Sequence, residues 1–177
     1  SRVVCAVGFE PNSRHTNYLK QVETKYNKCG WRVIFMTETT VSDQNGTARF
    51  YTDEAYHGMG WGGGILPSGI NKIVVEDITN KDRQQFLNVT LVNLSEFLKN
   101  VVGKRKLPVA HSRIHPPKVV MKMDIEGSEV DVVPDLIFTG GLEHINVLMV
   151  EWYERIEKSN ERKVSQRQLQ SIIKSLG

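Results

Sequence analysis

"VVMKMDIEGSEVDVV", residues 119–133, decides how this chain is read. An apolar, valine-rich run closes on Asp124-Ile125-Glu126-Gly127, and Glu129 and Asp131 follow directly. Residues 118–124 read as a strand buried on both faces, the kind found in parallel sheets. In an open α/β sheet the ligand lies outside the carboxyl ends of such strands. A hydrophobic strand that runs into carboxylates therefore points to the edge of a site. The competing reading is plain surface charge, because acids also favour the first turn of a helix.

Three more segments resemble the first. Residues 2–9 ("RVVCAVGF") stop at Glu10-Pro11-Asn12, residues 31–38 read "WRVIFMTE", and residues 145–152 read "INVLMVEW". Asn12 or Ser13 is positioned to cap a helix running to about Lys28, with Leu19, Val22 and Tyr26 on one stripe and Gly30 just past its end. Residues 40–53 ("TVSDQNGTARFYTD") alternate and hold an Asn-Gly turn signal at 45–46, which predicts a hairpin. Residues 55–71 read as glycine-rich and irregular, 72–78 ("KIVVEDI") as a short strand, and 94–102 as a short helix with Ser95 near its cap. A last amphipathic helix is expected over about 165–176. Strands alternating with helices give an α/β fold with a mostly parallel sheet. Right-handed crossovers then set Glu10, Asp124 with Glu126, and Glu151 on one rim.

The 177 residues suffice for one domain with a core. With 40% hydrophobic and 24% charged residues the chain is ordinary globular material, and a net charge of +3 is no nucleic-acid footprint. No window of ~18 apolar residues is present to span a membrane. The two cysteines, Cys5 and Cys29, form no metal-ligand cluster. Both fall near the amino rim of neighbouring predicted strands, so a disulfide between them is expected to be within reach. Three sequons, at Asn45, Asn88 and Asn93, suggest a glycoprotein of a secretory lumen or the extracellular space; set aside, they leave a cytoplasmic protein.

"GMGWGGG" (58–64) fails as a dinucleotide loop, since Pro67 and Gly69 stand where its helix would run; it reads as a lid or a surface loop. The acidic motif fails as a calcium loop because its glycine is misplaced. It remains open as the metal motif of a sugar-nucleotide-dependent glycosyltransferase. The basic loop 99–118 feeds the amino end of a strand and reads as solvated. His57 is a candidate base, whereas His15, His111, His115 and His144 read as surface residues. Trp152 and Tyr153 read as rim packing, with an aromatic face that can steady a sulfonium.

"VGFEPN" ahead of a helix, "TVSDQNGTARFY", "MKMDIEGSEVDVV" and "VLMVEW" together resemble the FkbM-type S-adenosylmethionine-dependent methyltransferases, over about residues 4–177. The resemblance implies one domain, residues 1–177, with a Rossmann-like methyltransferase fold. It implies methyl transfer to a hydroxyl of a small molecule or glycan. Glu10 matches the acid that receives both ribose hydroxyls of S-adenosylmethionine, and Pro11, Asn12 and Asp43 join it around the cofactor. Asp124 matches a position beside the methionine end, where it would act as general base with Glu126 and Lys122 tuning it. A divalent metal held by Asp124 and Glu151 is the variant of that scheme. The chain departs from the family pattern at Asn93-Leu94-Ser95, where an aspartate is usual. It departs again at Pro134, where the helix after the acidic motif is expected to restart. The family's glycine-rich loop and central strand, expected before residue 1, are not in the sequence, nor are its last two strands. A fragment of a longer chain is therefore expected. The alternative is a catalytically silent module on the methyltransferase fold.

Overall fold

The structure, a computed structural model, describes residues 5–53, 62–65, 84–106, 117–152 and 171. The chain is a mixed α/β protein dividing into two units, residues 1–41 with 45–91, and residues 42–44 with 92–177. Three sheets are present among the described residues: two parallel pairs and one of four strands.

In the first unit β1 (Cys5–Glu10) lies parallel to β2 (Arg32–Thr37), with Cys5 opposite Arg32 and Glu10 opposite Thr37. The connection is a 3-10 turn (Ser13–His15) leading into α1 (Thr16–Lys28). Asn12 caps the turn by accepting from the Arg14 N–H at 3.1 Å, as one of the two expected caps. α1 guards the outer edge of β2 with polar side chains one turn apart. Asn27 accepts from the Val33 N–H at 2.8 Å and donates to the Val33 carbonyl at 2.9 Å. Glu23 accepts from the Phe35 N–H at 2.7 Å, and the Lys20 ammonium donates to the Phe35 carbonyl at 2.8 Å. Those bonds occupy backbone groups that a further strand would need. Gly8 faces Phe35, where a side chain would meet the ring at 2.7 Å.

The four-stranded sheet has the order β3 (Thr39–Ser42), β6 (Gln84–Asn93), β4 (Gly46–Asp53), β5 (Gly62–Ile65). The expected hairpin across Asn45-Gly46 does not form, because β6 lies between β3 and β4. The connection instead passes over the end of β6, where the Asn93 side chain donates to the Asp43 carbonyl at 2.6 Å. Part of the run read as irregular is strand: β5 pairs antiparallel with β4, Gly64 opposite Tyr51. β6 was not anticipated, although its signal is present. Val89 and Leu91 are buried while Asn88 and Thr90 are exposed, a period of two.

In the second unit α2 (Leu94–Phe97) continues as a π-helical turn (Leu98–Val102). Its cap is Asn93, accepting from the Glu96 N–H at 2.8 Å, not Ser95, which is buried and bonded to the Thr139 hydroxyl. β7 (Val120–Met123) lies parallel to β8 (Val147–Val150). Between them come α3 (Glu129–Phe138) and a 3-10 turn (Gly141–His144). Among its described residues, Leu94, Leu98, Met123, Val132, Val133 and Leu136 are the buried apolar side chains. Burial of such side chains contributes ~1.5–3 kcal/mol each. α3 starts at Glu129 and runs through Pro134 rather than restarting there. Proline forfeits one intrahelical bond, and the start is set upstream by Glu129 itself.

Neither parallel pair is buried on both faces as expected. Val7, Ile34, Val120, Val147 and Met149 are all exposed, leaving Val33 and Met123 as the buried residues of the four strands. A two-stranded pair has few neighbours to cover it. The cysteines are free and exposed. Cys5 stands opposite Arg32, beyond the turn of Gly30 and Trp31, so the expected bridge is not made. Residues 72–78, His57, residues 107–116, Tyr153 and nearly all of 165–176 lie outside the described residues. No described helix is long and apolar enough to cross a membrane.

Candidate functional site

The strand ends of the second unit gather four acids and a lysine. Met123 stands opposite Val150, and the Glu151 N–H donates to the Met123 carbonyl at 2.9 Å, so Asp124 and Glu151 leave neighbouring parallel strands together. Lys122 shares the face of Asp124 by the two-residue period of a strand. Its ammonium lies 3.1 Å from the Asp124 carboxylate and 3.2 Å from that of Glu151. These two carboxylates, Asp124 first, raise the Lys122 pKa. The group is open to solvent, so the bridge orients more than it stabilises. The ammonium bridges the Asp124 and Glu151 carboxylates. Among the described residues no group of three or more metal-ligating side chains converges.

The turn after Asp124 is held by Glu129. Its carboxylate, 1% exposed, accepts from the Ile125 N–H at one oxygen and from the Gly127 N–H at the other, both at 2.8 Å. Burial raises the Glu129 pKa, those backbone bonds oppose the rise, and Asp124 adds to it. Glu129 thereby supplies acceptors for N–H groups that no ladder uses and fixes where α3 begins.

Closing this turn forces Glu126 into the left-handed region at φ 53° and Gly127 to φ 99°. Gly127 adopts it freely, whereas Glu126 pays strain of roughly 1–2 kcal/mol. The strained turn sets Glu126 half-buried among like charges. Burial first, then Asp124, Glu129 and Glu151, push its carboxyl up to about 7. A carboxyl in that range can both take and release a proton at neutral pH.

Glu10 ends β1 in the first unit. One oxygen, Oε1, accepts from the Asn12 N–H at 2.8 Å and lies 3.4 Å from Nδ1 of His15. The other oxygen, Oε2, has no partner among the described residues. Pro11 is half-buried beside it, and Asn12 is almost fully buried with its side chain committed to the cap.

Asp43 belongs to the second unit, away from the acids just described in its interactions. It accepts from the Ser42 hydroxyl at 2.9 Å and helps, after burial, to raise the Asp135 pKa. Trp152 is half-buried after β8. The structure thus brings together Lys122, Asp124, Glu126 and Glu151 in one unit, and Glu10, Pro11 and Asn12 in the other. Glu129 and His15 also take part. Glu129 was legible as an acid in a first helical turn two residues after glycine. His15 has no local signal, since nothing in the spacing says that a 3-10 turn carries it back to Glu10.

No protein-family model matches the chain, and neither a curated protein nor a solved structure matches it. The site stands on its own geometry.

Proposed function

We propose that the chain belongs to an S-adenosylmethionine-dependent methyltransferase that methylates a hydroxyl of a small molecule or glycan, on a single-domain Rossmann-like sheet. One observation carries the reading: Asp124 and Glu151 side by side at the ends of parallel strands, with Glu126 held near neutrality beside them.

S-adenosylmethionine supplies an electrophilic methyl group on a sulfonium. The protein's share is alignment, which can supply ~7–11 kcal/mol, and removal of the acceptor's proton. A hydroxyl is a weak nucleophile until its proton has somewhere to go, and a nearby carboxylate is worth ~10²–10⁴-fold. Asp124 takes that role, oriented by the Lys122 bridge. Glu126 is a reservoir in the right range, able to pass a proton on to solvent. The carboxylates also suit a passing sulfonium, as negative charge attracts it. Glu10 fits a ribose diol: a carboxylate accepts two hydroxyl bonds, and its Oε2 has no other described partner.

Calorimetry with S-adenosylmethionine, and separately with a nucleotide sugar plus manganese, tests the reading on the intact protein. Saturable binding of S-adenosylmethionine alone is expected. Binding of the nucleotide sugar alone would make the chain a glycosyltransferase. Failure of both would leave a catalytically silent module.

A further inference from the structure

The 3-10 turn after β1 does more than start a helix. His15 N–H donates to the Asn12 carbonyl at 3.1 Å, and Asn12 in turn caps the Arg14 N–H, so the turn is tied at both levels. Its closure returns the imidazole to the strand end five residues earlier. There Nδ1 of His15 and the N–H of Asn12 converge on the same oxygen of Glu10. Both side chains are about three-quarters buried, at 26% and 28% exposure, so the contact is only partly open to water. A glutamate on a free rotamer spends entropy when it binds; one pinned at a single oxygen has largely met that cost beforehand.

We infer that His15 is a positioning residue: its Nδ1, in ion-pair contact with Oε1 of Glu10 at 3.4 Å, holds that oxygen and thereby presents Oε2 to the paired hydroxyls of a ligand. The inference rests on the proposed reading of Glu10 as the ribose acceptor. It requires the proton on Nδ1, because Oε1 of the carboxylate can only accept. Asparagine at position 15 offers a donor near the place of Nδ1, whereas alanine offers none.

The test is calorimetry with S-adenosylmethionine on the intact protein and on Glu10→Ala, His15→Ala, His15→Asn and the Glu10→Ala/His15→Ala double variant. His15→Ala should bind about tenfold more weakly, the loss of one bond of ~1.4 kcal/mol, and His15→Asn should recover most of that. In the Glu10→Ala background the second change should do nothing further, since His15 acts through Glu10. Nitrogen NMR of the imidazole supplies a ligand-free readout: Nδ1 protonated in the wild type, and that signature lost in Glu10→Ala. Weakened binding by Glu10→Ala with unchanged binding by His15→Ala overturns the role of His15 while leaving that of Glu10 intact. Additive losses, or an imidazole signature indifferent to Glu10→Ala, also overturn it. A wild type that binds no S-adenosylmethionine removes the reading of Glu10, and the inference falls with it.

Discussion

Replacing Glu126 by glutamine should change how stability depends on pH. The Glu126 carboxyl moves from 4.5 to about 7 in the fold, first through burial and then through Asp124, Glu129 and Glu151. A shift of that size between folded and unfolded chains is worth at most ~3.4 kcal/mol, at ~1.36 kcal/mol per unit. Glu126 is half-buried, and solvent screening brings the expected value down to ~1–1.5 kcal/mol. Because the folded pKa is the higher one, the fold binds this proton more tightly than the unfolded chain does. The contribution is therefore complete below about pH 4.5 and lost as pH rises through about 7. Glutamine keeps the size and the left-handed backbone but carries no proton to lose. Urea unfolding of wild type and Glu126→Gln at pH 5 and pH 8 isolates the effect, since Glu129 and Asp135, also raised, remain in both. About three quarters of that contribution falls between these two pH values, so the stability of the variant relative to wild type should rise by ~0.7–1.1 kcal/mol from the lower to the higher pH. A difference that stays flat, or falls, refutes the electrostatic account of this turn.

Glu129→Ala leaves the Ile125 and Gly127 N–H groups without their acceptor and should cost ~2–4 kcal/mol in urea unfolding; a loss below ~1 kcal/mol would deny Glu129 its hold on the turn. Gly141→Ala sets a methyl 2.5 Å from Oγ of Ser95 and 2.9 Å from Cδ2 of Leu136, so thermal unfolding should show ~1–3 kcal/mol of overpacking, and none if the neighbours yield. If Glu10 receives the ribose as proposed, Glu10→Ala would remove two charge-assisted bonds of ~1.5–3 kcal/mol each, and S-adenosylmethionine should bind at least ~10-fold more weakly by calorimetry with the fold intact. Asp124→Asn keeps the shape without the charge: circular dichroism should be unchanged, and labelled-methyl transfer should fall at least ~10²-fold. Transfer at the wild-type rate would reduce the acids to scaffolding.

The apolar runs near residues 5–10, 32–37, 120–123 and 147–150 announced four strands, and all four are present in parallel pairs. The acids that stop those runs were legible for the same reason: a strand end is a local feature of sequence. What surrounds each strand was not. Val7 and Ile34, like Val120 and Val147, read as buried but are exposed, because burial depends on which elements cover a face. The Asn45-Gly46 pair carried a hairpin signal that β6, arriving forty residues later, cancelled by inserting itself between β3 and β4. The alternation of β6 is itself a local signal, with Val89 and Leu91 buried and Asn88 and Thr90 exposed. Pro134 promised a helix start, yet Glu129 had already closed the turn upstream.

By itself, then, the sequence determined the four apolar strands, the helix between the first two, and which of those strands end in carboxylates, since side-chain periodicity and composition act over a few residues. Only the tertiary structure decided the partners. It tied α1 to the edge of β2, set Lys122 between Asp124 and Glu151, carried His15 back to Glu10, and gathered enough like charge around a half-buried Glu126 to lift its carboxyl towards neutrality. Those outcomes depend on turn geometry, on which strands pair, and on desolvation, which no local pattern encodes.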